Sequence, residues 1–219
     1  MKTIEIPVIG SNLKGNLSIP KEPKALVLFS HGSGSSRFSK RNNMVAEILN
    51  EHNIATLLTD LLSPEEDKIY ENRFDIELLT ERLVSITNFV EQLPELKNLP
   101  IAYFGASTGA ASALKAAAHL QKKIHAVVSR GGRPDLVYSD LKRVKAPTLL
   151  IVGSLDGVVV ELNKQAFKFL KCEKNLEIVN GATHLFEEPG KLQQVAEIAT
   201  KWFEKYMINP KIHQNALQQ

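Results

Sequence analysis

The sequence predicts an α/β fold: a mostly parallel sheet with antiparallel N-terminal hairpin strands, helices on both faces and no large cap domain. Three observations carry that expectation. Short unbroken apolar segments alternate with helical ones along most of the chain. Strands apolar on both faces belong to parallel sheets covered by helices on either side. Residues 3–9 and 13–19 instead alternate apolar and polar around Gly10-Ser11-Asn12, which reads as an edge hairpin. No repeat, low-complexity block or linker interrupts the 219 residues. Residues 1–207 therefore read as one domain and 208–219 as a frayed C-terminal tail.

The remaining elements follow in order. Residues 25–30 are a continuous apolar strand, 41–51 a helix and 54–58 a strand. Residues 75–92 form a long amphipathic helix, with Ile76, Leu79, Leu83, Ile86 and Val90 on one face. Residues 101–104 are a strand and 108–120 an alanine-rich helix, followed by a strand over 124–129. Pro147 introduces a strand over 148–152, then a helix over 159–170. The last strand is 176–179 and the last helix 191–207. Its Trp202, Phe203 and Tyr206 read as packing residues.

Composition narrows the function classes. The net charge of +3, with scattered basic residues, gives no footprint for nucleic acid. Cys172 is the one cysteine, so an internal disulfide and a cysteine-based zinc site are both excluded, which suits a reducing compartment. Beside lysines at a helix end, Cys172 itself reads as chemically idle. The first residues, Met1-Lys2-Thr3-Ile4-Glu5-Ile6-Pro7, have acid and proline where a signal peptide needs an apolar core. No apolar run approaches the roughly 20 residues of a membrane helix. A cytoplasmic location is expected, with no metal or organic cofactor and no membrane partner.

The richest stretch is Gly105-Ala106-Ser107-Thr108-Gly109, between an expected strand and an expected helix. Strand, G-x-S-x-G, helix is the pattern of a nucleophile elbow, in which a tight turn lifts the serine hydroxyl out of the sheet. It also puts Ser107 at the positive end of a helix dipole. Acyl transfer by serine further needs a base, an acid that orients the base, and donors for the developing oxyanion. In a parallel sheet these groups should follow strands, because ligands bind at the carboxyl ends. Asp156 follows strand 148–152, and His184 follows strand 176–179. Their order, Ser107, Asp156, His184, is that of an α/β-hydrolase triad. The glycine-rich loop His31-Gly32-Ser33-Gly34 follows strand 25–30. The N–H groups of Ser33 and Thr108 are the expected oxyanion donors.

With these motifs in hand, the chain resembles the α/β-hydrolase superfamily, and within it the dienelactone hydrolase-like type. The resemblance is carried by His31-Gly32-Ser33-Gly34, Gly105-Ala106-Ser107-Thr108-Gly109, Gly153-Ser154-Leu155-Asp156 and Gly181-Ala182-Thr183-His184. It covers residues 25–207. Dienelactone hydrolases proper carry a cysteine nucleophile. Ser107 aligns the chain with serine-bearing relatives: carboxylesterases, lipases and acyl hydrolases. Ser129-Arg130-Gly131-Gly132-Arg133-Pro134-Asp135-Leu136 also resembles a subgroup found fused or adjacent to phosphoribosyltransferase domains. No such domain is expected within these residues. The resemblance implies a hydrolase of small-molecule carboxylic esters or thioesters, working through an acyl-enzyme.

Other residues compete for roles at that site. His31 lies in the oxyanion loop, where its ring is expected to hold the loop by hydrogen bonds. Asp135 and Asp140 are rivals to Asp156. Arg130 and Arg133 follow strand 124–129, and Arg37 and Arg41 follow the oxyanion loop. Each is a candidate for contact with an anionic substrate group, or for a salt bridge that fixes a loop. Only residues 131–146 lie between the sixth strand and the acid-bearing strand, so the site should be open. Two other function classes remain: a non-catalytic scaffold of the same fold, and a dinucleotide-binding protein using Gly32-Ser33-Gly34 and Asp60. The second lacks its third glycine, since Arg37 stands there.

Overall fold

The computed structural model describes residues 1–209, so the expected tail lies outside the described residues from position 210 onward. Eight strands form one sheet: β1 (Lys2–Val8), β2 (Ser11–Ser18), β3 (Ala25–Ser30), β4 (Ile54–Thr59), β5 (Ile101–Ala106), β6 (Ile124–Arg130), β7 (Thr148–Gly153) and β8 (Lys174–Val179). Their spatial order is β1-β2-β4-β3-β5-β6-β7-β8. The β1–β2 and β2–β4 pairs are antiparallel, and the rest are parallel. The hairpin turns through Gly10 at φ 75°, a conformation that costs glycine least.

Among the described residues seven α-helices accompany the sheet: α1 (Lys40–Glu51), α2 (Pro64–Asp67), α3 (Ile76–Val90), α4 (Thr108–Leu120), α5 (Tyr138–Leu141), α6 (Gly157–Phe169) and α7 (Lys191–Phe203). The period-2 pleat divides the central strands between two cores. Leu26, Leu28 and Tyr103 pack on the side of α3, α4 and α6. Val27, Phe29, Ala102 and Phe104 pack on the side of α1 and α7. Phe29 and Phe104 are fully buried with ring centroids 5.0 Å apart, and each such burial stabilises by about 2–3 kcal/mol. Tyr103 is buried on the other face, where its hydroxyl meets Thr87 Oγ1 at 2.6 Å. Trp202 and Phe203 are core residues, as expected.

The structure departs from the sequence expectation in four places that matter for the site. β6 runs one residue further, through Arg130, because Arg130 pairs with Ile151 of β7. After β4 the chain forms α2 and a 3-10 turn, Tyr70–Phe74, where no element was expected. Ser63 starts α2 with a capping box: its side chain accepts from the Glu66 N–H, and Glu66 reaches back to the Ser63 N–H. β8 begins at Lys174 because Thr148 pairs with it, although its polar start hides the strand. Helix α7 ends at Phe203 and widens into a π turn, Glu204–Ile208. Between β6 and β7 only a 3-10 turn, Pro134–Val137, and α5 intervene, so no cap domain stands there. Among the described residues no helix is long and apolar enough to cross a membrane.

Candidate active site

The carboxyl ends of β3, β5, β6, β7 and β8 converge, and the candidate residues sit on the loops that leave them. Ser107 is the single residue between β5 and α4, with φ 53° and ψ −122°. That backbone region is nearly closed to residues with a Cβ and stores about 1–3 kcal/mol of strain. It persists because neighbours hold it. The Ser107 N–H donates to the Arg130 carbonyl at 3.2 Å, and the Arg133 N–H donates to the Ser107 carbonyl at 3.1 Å. Ser107→Gly is therefore expected to raise stability by about 1 kcal/mol, roughly 2–4 °C in Tm, while Ser107→Ala keeps the Cβ and gains none of it. Thermal unfolding of the two variants beside the parent checks this.

Asp156 precedes α6, and its Oδ2 lies 2.6 Å from His184 Nδ1. The Asp156 side chain is largely buried and the His184 ring is partly exposed. The two loops are braced against each other. The Leu155 N–H donates to the Ala182 carbonyl (2.9 Å), and the Gly181 N–H donates to Ser154 Oγ (2.8 Å). Glu188 accepts from both the N–H and the hydroxyl of Thr183, at 3.1 and 2.5 Å. The bond from the Thr183 hydroxyl, first among the causes, also holds the Glu188 carboxyl below the usual range. Gly131, at φ 52°, takes a conformation that side-chain-bearing residues rarely adopt, and a Cβ there would stand 3.2 Å from the His184 carbonyl oxygen.

Ser107 and His184 share one cavity of about 250 Å³, whose wall also includes Gly32, Ser33, Arg41 and Arg130. No hydrogen bond joins the Ser107 hydroxyl to the His184 ring in this structure; such bonds often tighten only in the substrate complex. Two larger hollows, of about 530 and 500 Å³, touch none of Ser107, Asp156 and His184.

The two expected oxyanion donors lie together, but one is engaged within the protein. The Ser33 N–H donates to Thr108 Oγ1 at 2.8 Å. Nothing in local sequence announces this contact between residues 75 positions apart. Thr108 opens α4, so its own N–H belongs to the helix's unpaired first turn. Behind the loop, His31 behaves as a brace. Its Nε2 accepts from the Leu61 N–H (3.2 Å), which leaves Nδ1–H to donate to the Gly32 carbonyl (2.9 Å). Burial pushes the His31 pKa down, favouring the neutral ring this arrangement needs.

The four arginines separate sharply. Arg37 is paired with Asp60, against which its N–H also donates (2.9 Å), and it faces a neighbouring hollow. That ion pair also occupies the acid required for the dinucleotide reading. Arg133 forks onto Asp135, with both bonds at 2.8 Å. Asp140, the other rival acid, serves Arg143 and Lys115 on the surface. Arg41 and Arg130 are the two arginines that line the cavity of Ser107. Cys172 is half-buried against Thr148, and burial pushes its thiol pKa up, which suits a chemically quiet side chain.

Comparison with known proteins supports the fold and places the family. The model of the dienelactone hydrolase family matches residues 15–208. The solved structure of a dienelactone hydrolase from Anabaena variabilis is 50% identical, with a TM-score of 0.91 over 94% of this chain and 97% of that one. Est1E of Butyrivibrio proteoclasticus shares the fold at 18% identity, with a TM-score of 0.81 over 94% of this chain and 99% of that one. Two Mycobacterium tuberculosis proteins, from strains CDC 1551 and H37Rv, are each 53% identical over 196 residues and are provisionally named phosphoribosyl transferases. The match covers 90% of this chain but 44% of those relatives, so the chain spans less than half their length.

Proposed function

We propose that this chain, which belongs to the dienelactone hydrolase family, is a hydrolase that cleaves carboxylic esters or thioesters of small soluble substrates through Ser107, His184 and Asp156. One observation carries this reading. The Asp156–His184 contact of 2.6 Å orients an imidazole on the wall of the cavity that also holds Ser107, a serine set in strained elbow geometry. In the proposed reaction His184 Nε2 takes the Ser107 proton as Oγ attacks the carbonyl carbon. Asp156 holds Nδ1 protonated and stabilises the imidazolium that forms. The N–H groups of Thr108 and Ser33 receive the oxyanion, the latter by releasing the Thr108 hydroxyl. His184 then protonates the leaving alcohol or thiol, and later activates the water that releases the acid.

The absence of a cap between β6 and β7, with a cavity of about 250 Å³, supports small soluble substrates over interfacial lipids. We read residues 1–207 as one catalytic domain acting without a metal or organic cofactor. The segment shared with the longer mycobacterial proteins overlaps the span of the hydrolase family, so we assign hydrolysis to that shared segment.

Asp156→Asn is expected to keep the fold and lower kcat by about 10⁴, since an amide stabilises the wrong imidazole tautomer. Steady-state kinetics on p-nitrophenyl esters of increasing chain length, with thioesters and lactones in the same panel, checks both the loss and the substrate preference. A fluorophosphonate probe should label Ser107 in the folded parent. Folded protein that neither labels nor hydrolyses any member of the panel would favour a non-catalytic scaffold.

A further inference from the structure

Arg130 is the last residue of β6 and is 6% exposed, yet no carboxylate among the described residues pairs with it. Its hydrogen bond is a long one, 3.5 Å to Asn42 Oδ1, and its buried Nε finds no acceptor. The Phe186 ring lies 5.9 Å from the guanidinium carbon. The charge that acts on it is a second cation, Arg41, which is paired with Glu187 at 2.7 Å and also has a buried Nε without an acceptor. Burial first, and Arg41 second, push the Arg130 pKa down to about 10, so it stays charged at neutral pH.

The protein treats its structural arginines differently. Arg82, equally buried at 7% exposure, is neutralised by Glu66 and donates to the Ile9 carbonyl at 2.5 Å. Arg37 and Arg133 are each matched by an aspartate. Arg130 alone among these is buried without a countercharge, and it is one of the residues around the cavity of Ser107 and His184, as is Asn42, which its guanidinium contacts. A buried cation normally has a paired anion, because desolvation without one is strongly unfavourable. With Glu187 matching Arg41, the cluster keeps one net positive charge on the wall of the cavity.

We propose that Arg130 and Arg41 form an anion subsite beside Ser107, so that the substrate is a small ester or thioester whose acyl part carries a carboxylate or phosphate group. Guanidinium groups suit either planar or tetrahedral oxyanions. A cavity of about 250 Å³ suits a short acid, with the anionic group a few bonds from the scissile carbonyl. The subsite deepens the esterase reading and rests on it.

The test compares two esters of similar length and the same leaving group, p-nitrophenyl butyrate and the mono-p-nitrophenyl ester of glutarate. The parent is expected to favour the glutarate ester in kcat/KM. In Arg130→Met that preference should fall roughly 10- to 100-fold, as expected for lost charge-assisted bonds. Arg41→Gln should lower it in the same direction and serves if Arg130→Met does not fold. Preference for the butyrate ester in the parent, or equal losses on both esters in the variants, overturns the proposal. Binding is read separately from chemistry by thermal shift of Ser107→Ala with glutarate and with inorganic phosphate. Stabilisation that disappears on adding Arg130→Met supports the subsite, and the stronger of the two anions identifies the acid. No shift with either anion overturns it, even if the parent is an active esterase. Shifts without any ester hydrolysis by the parent overturn the esterase reading and leave the anion site standing.

Discussion

Replacing Ser107 with alanine is expected to lower ester turnover by roughly 10³–10⁶, to the level left by binding and oxyanion stabilisation alone. The size of the loss follows from what the side chain contributes. In the proposed reaction Ser107 Oγ is the bond-forming atom, so no neighbouring group substitutes for it; Cys172 is half-buried against Thr148, far along the chain and off the cavity. The backbone of Ser107 is held by Arg130 and Arg133 whatever its side chain, so the variant should fold as the parent does. Circular dichroism and thermal unfolding establish that, and stopped assays on the best ester of the panel measure the rate. Turnover within tenfold of the parent, or fluorophosphonate labelling that persists in the variant, would sink the assignment of Ser107.

The second large effect concerns stability. Gly109→Ala is expected to destabilise by about 3 kcal/mol or more, lowering Tm by roughly 10 °C, or to prevent accumulation of soluble protein. A Cβ at position 109 would stand 2.2 Å from the Ser30 carbonyl oxygen and 2.4 Å from that of His31. Both obstacles are backbone at the end of β3, so no side-chain rotation relieves the overlap. Relief means separating α4 from β3, and that displaces the oxyanion loop from Ser107. A variant that still folds should therefore show reduced kcat as well. The control is Gly157→Ala, where an added Cβ meets nothing within 4 Å at the first residue of α6. Equal unfolding temperatures for Gly109→Ala and the parent would refute the packing argument.

Much of this architecture was legible because local and global signals coincide. The alanine-rich stretch after Ser107 has a helix with the expected bounds, Thr108–Leu120. The central strands are apolar on both faces because helices cover both. The meeting of Asp156 and His184 follows from where β7 and β8 end. What escaped reading depends on partners distant in sequence. Arg130 ends a strand rather than following one because Ile151 pairs with it, and the residue is buried there. Which arginine lacks a countercharge could not be read either. Asp135 is two residues from Arg133, whereas Asp60 is 23 from Arg37. The start of β8, Lys174-Asn175, is polar because it runs at the sheet edge, where half the surface meets water.

The Ser33–Thr108 contact changes what it means for a substrate to enter the proposed oxyanion site. The donor is not taken from water; it is taken from a hydroxyl of the protein itself. Occupation is thus a swap between two acceptors of one N–H. A neutral ester carbonyl and a neutral hydroxyl accept with similar strength, so for the ground state the swap is close to thermoneutral. The oxygen of a tetrahedral intermediate carries charge, and charge-assisted bonds are roughly twice as strong. A donor with a built-in rival therefore gains little by holding the substrate and much by holding the species on the way to product, which is the difference that accelerates a reaction.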